Sequence, residues 1–308
     1  MSTAGASGTR GSQTAAVIGL GSMGLGMARS LLRAGFDVVG CDVAADAVQR
    51  FVAEGGRGAA DPAHAARGAD VVVSVVVNAA QTEAVLFGPR GAAETMAEGA
   101  VFVSSATMDP ALARDFGERL ESTGRHYLDA PISGGAARAA KGELTVMSSG
   151  SPAAFAQARA ALDAMAVKVY ELGDAPGVGA AFKMINQLLA GVHIAAACEA
   201  ITFAARQGLD LRRVYEVITA SAGNSWMFEN RVPHVLEGDY RPLSAIEIFV
   251  KDLGIVQDMA RAERYPVPLA AAALQMYLAA AGSGMGRDDD ASLARIYGRL
   301  SGVDLPGT

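Results

Sequence analysis

Lysine is rare in this sequence, and one lysine lies where it could transfer protons. The chain of 308 residues has lysine only at positions 141, 168, 183 and 251. Lys183 lies in an apolar helical pattern and shares a helix face with Asn186 and Gln187, at i+3 and i+4. Burial or a neighbouring cation lowers the pKa of an ammonium group, as acid–base work near neutral pH requires. We therefore expect Lys183 to transfer protons beside the Asn186 carboxamide; the alternative is a structural lysine whose stem covers apolar surface.

A glycine-rich segment has the pattern of a dinucleotide-binding turn. It follows a β-branched run, opens a helical pattern, and consists of Gly19, Leu20, Gly21, Ser22, Met23 and Gly24. The glycines permit a tight turn, close approach to a pyrophosphate, and packing of the helix on the strand. The next strand ends at Asp42, whose carboxylate can accept a hydrogen bond from an adenosine 2′-hydroxyl and would repel a 2′-phosphate. The pattern predicts binding of NAD rather than NADP; for Asp42 alone, the alternative is a solvated acid at a strand end.

A second loop motif could hold an anion. It follows another predicted strand and runs from Asp129 to Gly135 with the sequence DAPISGG. The Ser133 hydroxyl and the N–H groups of Gly134 and Gly135 could together cradle a carboxylate or an alkoxide. A surface turn is the alternative, because proline and glycine predict turns equally well.

Short β-branched runs alternate with alanine-rich helical patterns up to Gly173. The predicted strands are Thr14–Ile18, Asp37–Cys41, Val71–Val77, Val101–Ser105, His126–Asp129, Leu144–Ser148 and Val167–Glu171. The predicted helices are Met23–Ala34, Ala44–Glu54, Thr82–Phe87, Pro110–Thr123 and Pro152–Met165. Strands that are apolar on both faces belong in a parallel sheet covered on both sides. The alternation therefore predicts a doubly wound α/β Rossmann domain with a mostly parallel sheet.

After Gly173 the strand patterns stop, and only helical patterns follow. The predicted helices are Gly179–Gln207, Leu211–Ala220, Ser244–Ala262 and Pro268–Ala281. We predict a flexible tail over residues 1–13, an NAD-binding Rossmann domain over 14–173, and an all-α C-terminal domain over 174–308 that starts with a long interdomain helix. Helices that are apolar on several faces need more partners than one small domain supplies, so we expect a homodimer or homotetramer.

Composition restricts the classes of function. The net charge is −6, so the chain offers no general basic surface for nucleic acid. Its two cysteines, Cys41 and Cys198, form neither a disulfide framework nor a metal-ligand pattern, so we expect no metal and a cytoplasmic location. The longest uncharged apolar run, Met184–Cys198, is too short to span a bilayer and contains polar residues, so we expect no membrane partner.

The ordered set of motifs resembles the 3-hydroxyisobutyrate dehydrogenase family of β-hydroxyacid dehydrogenases. The resemblance runs from Ala15 to about Tyr297 and includes GLGSMG at 19–24, DAPISGG at 129–135, GVGAAFKMINQ at 177–187 and VKDL at 250–253. It implies a Rossmann domain, a connecting long helix, an all-α domain and an active site in the cleft between them. It also implies NAD-dependent oxidation of a small 2- or 3-hydroxy acid.

The resemblance further implies a role for each matching residue. Lys183 would be the catalytic acid–base residue and Asn186 its substrate-orienting partner, while the substrate carboxylate would bind Ser133, Gly134 and Gly135. Cofactor contacts would come from the glycine-rich turn, Asp42, Asn78, Thr107 and Lys251. Two departures are present: the usual Ser-Thr pair is Ala106-Thr107, and the usual Asn-Asn pair after the catalytic lysine is Asn186-Gln187.

Within this family, three segments look most like the L-threonate dehydrogenases. They are KMINQLLAGVHIAAACEA at 183–200, AGNSWMFENR and IEIFVKDLG. A polar lining from His193, Asn224 and Ser225 would suit a polyhydroxy acid. The alternatives are a 3-hydroxyisobutyrate dehydrogenase, a tartronate semialdehyde reductase, and, in another class, a non-catalytic NAD-binding sensor or interaction protein. Imine reductases are disfavoured because members of that related family generally lack the catalytic lysine.

Overall fold

The computed structural model describes residues 13–307, so the predicted tail over residues 1–13 lies outside the described part except for Gln13. The chain divides into two compact units, the first ending at Lys183 and the second beginning at Met184. The predicted domain bounds, 14–173 and 174–308, stay a prediction.

A six-stranded parallel sheet is the centre of the first unit. Its strands are β1 (Thr14–Ile18), β2 (Asp37–Cys41), β3 (Arg57–Gly58), β4 (Val71–Ser74), β5 (Val101–Ser104) and β6 (His126–Asp129). They lie in the order β3-β2-β1-β4-β5-β6, and every neighbouring pair is parallel. This order reverses between β1 and β4, and the carboxyl edge at such a point is where doubly wound folds bind ligands. The predicted α/β Rossmann fold is confirmed.

Helices cover both faces of this sheet. They are α1 (Ser22–Arg33), α2 (Ala45–Ala53), α3 (Pro62–Ala66), α4 (Ala79–Phe87), α5 (Pro110–Glu121), α6 (Gly135–Lys141) and α7 (Pro152–Met165). Alternate residues of β1 enter different apolar clusters, Ala15 and Val17 on one face and Ala16 and Ile18 on the other. Burial on both faces explains why the strands are almost entirely apolar.

A smaller sheet in the same unit follows the DAPISGG motif. It contains β7 (Ile132–Ser133), β8 (Leu144–Ser148) and β9 (Ala166–Glu171). The pair β7 and β8 is antiparallel, and the pair β8 and β9 is parallel. Ile132 and Ser133 form β7 and pair with Val146 and Thr145 of β8. The middle of the second loop motif is therefore part of a sheet and not an unsupported loop.

The second unit consists of helices and connecting loops in its described residues. Its helices are α8 (Val178–Arg206, which begins in the first unit), α9 (Leu211–Thr219), α10 (Trp226–Glu237), α11 (Ile246–Ala262), α12 (Pro268–Ala280) and α13 (Leu293–Ser301). Phe249 of α11 and Tyr277 of α12 stack with ring centroids 5.2 Å apart, and the Tyr277 hydroxyl donates to the carbonyl of Gly191. The predicted all-α character of the C-terminal half is confirmed.

One helix of the described part, α8, is long and apolar enough to cross a membrane by length and composition. Half of its most apolar window is buried within the protein. Ile194, Cys198 and Ile201 belong to the apolar core of the second unit, which is typical of a core helix.

Sequence patterns missed elements that are short or carry a breaker. Strands β3 and β7 have two residues each, too few for a period to show. Helix α10 contains Pro233, which a sequence pattern treats as a stop. The predicted strand Val71–Val77 ends at Ser74, because Asn78 caps α4 and the preceding Val77 is exposed.

Candidate functional site

The turn between β1 and α1 needs glycine at two positions for the fold itself. Gly19 has a φ of +93°, and an added Cβ there would lie 2.6 Å from the Val75 carbonyl oxygen. At Gly24 an added Cβ would lie 1.8 Å from the Gly19 carbonyl oxygen. Nothing lies within 4 Å of an added Cβ at Gly21, which is the N-cap of α1 and offers no capping side chain. The open space and the helix N-terminus fit a dinucleotide pyrophosphate.

Asp42 lies directly beside this turn, at the carboxyl end of β2. Its Oδ2 accepts a hydrogen bond from the Leu20 N–H at 2.6 Å, and its Oδ1 accepts one from the Ala44 N–H at 2.8 Å. These bonds hold the carboxylate against the glycine-rich turn, where its remaining lone pairs suit a ribose hydroxyl. The next residue, Val43, is fully exposed. Burial raises the pKa of the neighbouring Cys41 thiol to about 11, so this cysteine is an inert part of the strand.

Asn78 and Thr107 follow the ends of two neighbouring strands, β4 and β5. The Asn78 side chain caps α4 by accepting from the Gln81 N–H at 2.9 Å. Thr107 is partly exposed in the loop that leads to α5. Carboxyl ends of parallel strands lie at one edge of a sheet, so both residues lie at the edge that carries the glycine-rich turn and Asp42.

The first turn of α8 is anchored by two buried side chains of the first unit. Asp129 Oδ2 accepts from the N–H groups of Gly177 and Ala180, at 3.0 and 2.8 Å, and Ser149 Oγ accepts from the Gly179 N–H at 2.9 Å. Burial raises the pKa of Asp129 to about 6, against the lowering effect of the two N–H donors. These bonds satisfy N–H groups that a helix start leaves without partners, and they fix where α8 begins.

This anchoring places Lys183 one turn further along, against the second loop motif. Lys183 is 7% exposed, and its Nζ donates to the Ile132 carbonyl oxygen at 2.9 Å. The next residues are Ser133, Gly134 and Gly135, with φ values of +136° and +75° at the two glycines. Gly134 is also the N-cap of α6. The buried amine is therefore held at the residue directly before Ser133, Gly134 and Gly135, whose hydroxyl and N–H groups could bind a carboxylate while the amine exchanges a proton.

The second unit contains a line of side chains, joined by two hydrogen bonds and an ion pair, that we call the amide relay: Asn186, Gln187, Asp252 and Lys251. Asn186 Nδ2 donates to Gln187 Oε1 at 2.9 Å, and Gln187 Nε2 donates to Asp252 Oδ2 at 2.5 Å. Lys251 Nζ lies 2.6 Å from Asp252 Oδ1. Asp252 is 1% exposed, so this acid is buried.

Three polar residues considered as a substrate lining have different surroundings. The Ser225 side chain is the N-cap of α10, accepting from the Phe228 N–H. Asn224 donates to the Thr219 carbonyl and to Glu229. His193 is partly exposed on α8. Ser225 and Asn224 thus have structural bonds that account for their residue types.

The two other lysines lie on the surface of the first unit. Lys141 is exposed at the end of α6, and the Lys168 ammonium is 5.2 Å from the centroid of the Tyr170 ring. Within residues 13–307, no group of three His, Cys, Asp or Glu side chains could hold a metal ion.

Sequence reasoning missed two residues that position the candidate site. Asp129 belongs to the motif that was recognised, but its acceptor role became visible only with α8 folded against it. Asp252 carried a weak signal, an acid within an apolar helical segment. A buried acid next to a lysine is rare enough to be worth testing as a site residue.

Both halves of the chain match families of dehydrogenase domains. Residues 14–173 match the family described as the NAD-binding domain of 6-phosphogluconate dehydrogenase. Residues 177–297 match the family described as the NAD-binding domain of NADP-dependent 3-hydroxyisobutyrate dehydrogenase. The chain is thus similar to nicotinamide-dependent dehydrogenases over nearly all of its described length.

Individual relatives cover almost the whole chain. An L-threonate dehydrogenase of Cupriavidus necator is 55% identical over 296 residues, which is 96% of this chain and 99% of the relative. An L-threonate dehydrogenase of Escherichia coli K12 is 47% identical, over 94% of this chain and 96% of the relative. A crystal structure named 3-hydroxyisobutyrate dehydrogenase from Salmonella typhimurium has a TM-score of 0.88 at 49% identity and covers 92% of this chain and 99% of that one.

Proposed function

Because the chain belongs to the 3-hydroxyisobutyrate dehydrogenase family of nicotinamide-dependent hydroxyacid dehydrogenases, we propose that it oxidises L-threonate to 2-dehydro-L-erythronate with NAD. The identity of 55% and 47% to proteins named L-threonate dehydrogenase supports this substrate. The observation that carries the chemistry is the contact of the buried Lys183 amine with Ile132, directly before the Ser133–Gly135 turn.

The substrate carboxylate binds the Ser133 hydroxyl and the N–H groups of Gly134 and Gly135. This arrangement would bring the adjacent C2 hydroxyl towards Lys183, because the Lys183 amine contacts the carbonyl oxygen of Ile132, the residue before Ser133. Neutral Lys183 accepts the hydroxyl proton as the C–H bond breaks; in the reverse direction its ammonium returns the proton. Asn186, one turn along α8, orients the substrate.

The nicotinamide ring of the cofactor supplies hydride acceptance at its C4 atom. Gly21 and the N-terminus of α1 would hold the pyrophosphate and Asp42 the adenosine ribose. Asn78, Thr107 and Lys251 would serve the nicotinamide half. The Asp42 carboxylate would repel a 2′-phosphate, which supports a preference for NAD over NADP.

Steady-state kinetics on a panel of acids tests the substrate. NADH formation is measured with L-threonate, D-erythronate, 3-hydroxyisobutyrate and glycerate, each at several concentrations. We expect the highest kcat/KM for L-threonate, because kcat/KM compares how well each transition state is bound. A higher kcat/KM for any other acid of the panel overturns the proposed substrate.

A second candidate substrate is 3-hydroxyisobutyrate. It is supported by the name of the Salmonella typhimurium structure, which is 49% identical to this chain. The other alternative, a tartronate semialdehyde reductase, is tested by measuring NADH consumption with tartronate semialdehyde as substrate. The dehydrogenase relatives favour an enzyme over the non-catalytic NAD-binding protein considered from the sequence.

A homodimer or homotetramer in the cytoplasm completes the proposal. One face of α8 exposes the large apolar residues Phe182, Ile185, Leu189 and Phe203. Their spacing of three, four and fourteen residues keeps them on one stripe of the helix, which a second copy of the chain could cover. The mass in solution, measured by light scattering, tests this part.

A further inference from the structure

The amide relay has a direction that follows from the chemistry of its buried end. Asp252 is an acid side chain, and the Lys251 ammonium lies 2.6 Å from one of its two oxygens. An ionised carboxylate only accepts hydrogen bonds, so Gln187 must turn its NH₂ group towards the other oxygen. The amide relay therefore begins at the Asp252 carboxylate, which can accept hydrogen bonds but cannot donate them.

The orientation of Gln187 in turn determines the orientation of the Asn186 side-chain amide. The NH₂ group of Gln187 is bound to Asp252, so Gln187 presents its carbonyl oxygen to Asn186. Asn186 must therefore donate from its own side-chain NH₂ group. The carbonyl oxygen of Asn186 is the group that is turned away from Gln187. Asn186 is partly exposed, so this oxygen can meet a small molecule.

We propose that Asp252 is a positioning residue that, through Gln187, makes Asn186 present a carbonyl oxygen to a hydroxyl group next to the reacting carbon of the substrate. The inference rests on the proposed function, because it assigns the 3-hydroxyl of the hydroxy acid to Asn186. A carbonyl oxygen accepts a hydrogen bond from a hydroxyl and repels a carboxylate, so a hydroxyl of the substrate and not its carboxylate faces Asn186. An acid without the neighbouring hydroxyl leaves the oxygen without its donor.

Two substrates that differ only in this hydroxyl test the inference. The ratio of kcat/KM for L-threonate to kcat/KM for its 3-deoxy analogue, 2,4-dihydroxybutyrate of the same C2 configuration, is measured for each variant. We expect Asp252→Asn to lower this ratio about tenfold, because an amide at position 252 can donate or accept and no longer sets the direction of the relay. Gln187→Met should have the same effect, and the double variant should add nothing further.

A purely structural role for Asp252 gives a different result. It would lower kcat/KM for both acids by the same factor and leave their ratio unchanged, and this outcome overturns the inference. Asp258→Asn is the matched control, since Asp258 is an exposed acid on the same helix α11. We expect this control to keep the wild-type ratio.

A readout without turnover separates this inference from the proposed function. The side-chain NH₂ resonances of Asn186 are followed by ¹⁵N NMR in the full-length protein, and we expect Asp252→Asn to shift them although the two residues are joined only through Gln187. Unchanged resonances overturn the inference. If the wild type does not oxidise L-threonate, the proposed substrate fails, and the ratio is measured instead with glycerate and lactate, which differ in the same hydroxyl. An unchanged ratio for that pair also overturns the inference.

Discussion

Individual residues of this protein differ in whether the fold or the ligand accounts for them. Gly19 and Gly24 are required by the backbone, because a Cβ would meet carbonyl oxygens at 2.6 and 1.8 Å. Gly21 has open space around it, so its small size matters for what approaches the turn. We propose that Lys183 too is explained by the ligand, because its buried amine contacts Ile132, directly before the proposed carboxylate-binding turn.

Removal of the Lys183 amine should abolish most of the turnover. We expect Lys183→Ala to reduce kcat by about 10²–10⁴-fold, the range for a general acid or base, while the Kd for NAD changes little. Stopped-flow or steady-state kinetics measure kcat, and fluorescence titration measures the Kd for NAD. Lys168→Ala, at an exposed lysine of the same unit, is the control and should keep wild-type kinetics. A Lys183→Ala variant that keeps most of its kcat would refute the assignment.

The carboxylate of Asp42 should set the choice between the two nicotinamide cofactors. We expect Asp42→Asn to reduce the preference for NAD over NADP by about tenfold or more, because the repulsion of a 2′-phosphate disappears. The ratio of kcat/KM for the two cofactors is the measurement. Asp37→Asn is the control, as Asp37 lies at the opposite end of β2 in an exposed ion pair with Arg57. A preference unaltered in Asp42→Asn would contradict this role.

At the scale of elements, the start of α8 connects the sheet to the candidate catalytic residue. Asp129 ends β6, and its carboxylate binds two N–H groups at the start of α8, while Lys183 follows within the next turn and a half. A shift of the helix start would move Lys183 relative to Ile132. The first turn of α8 thus sets the position of Lys183 in the first unit, and the amide relay connects the next turn of α8 to α11 within the second unit.

The buried carboxyl of Asp129 should make stability depend on pH. Burial raises its pKa from 3.8 to about 6, so the folded protein binds a proton more tightly than the unfolded chain. Protonated Asp129 contributes at most about 3 kcal/mol to the free energy of unfolding. This contribution is fully present below about pH 4 and is lost as the pH rises through about 6. Urea unfolding between pH 4 and 7 measures this decline, and Asp129→Asn should remove it.

Asp210→Asn provides the control for this pH dependence. Asp210 caps α9 through two N–H groups, as Asp129 caps α8, but it is exposed. We expect this variant to keep the wild-type decline in the free energy of unfolding. If Asp129→Asn also keeps it, the titrating group lies elsewhere.

At the scale of the whole molecule, the exposed apolar stripe of α8 predicts self-association. We expect Leu189→Arg to lower the mass measured by light scattering to that of a smaller assembly or a monomer, since a charge in an apolar interface is costly. Leu112→Arg, at an exposed leucine on α5 of the first unit, is the control. An unchanged mass for Leu189→Arg would exclude this stripe as the contact between copies.

The sequence by itself determined the fold class, the cofactor class and the residues that could carry chemistry. Strands apolar on both faces, the GxGxxG turn with Asp42, and the scarce Lys183 all leave local signals, because each depends on neighbours along the chain. The tertiary structure decided what depends on residues distant in sequence. The capping of α8 by Asp129 spans 48 residues, and the bond from Gln187 to Asp252 spans 65. Such contacts exist only when helices and strands pack, so no local pattern of residue types could show them.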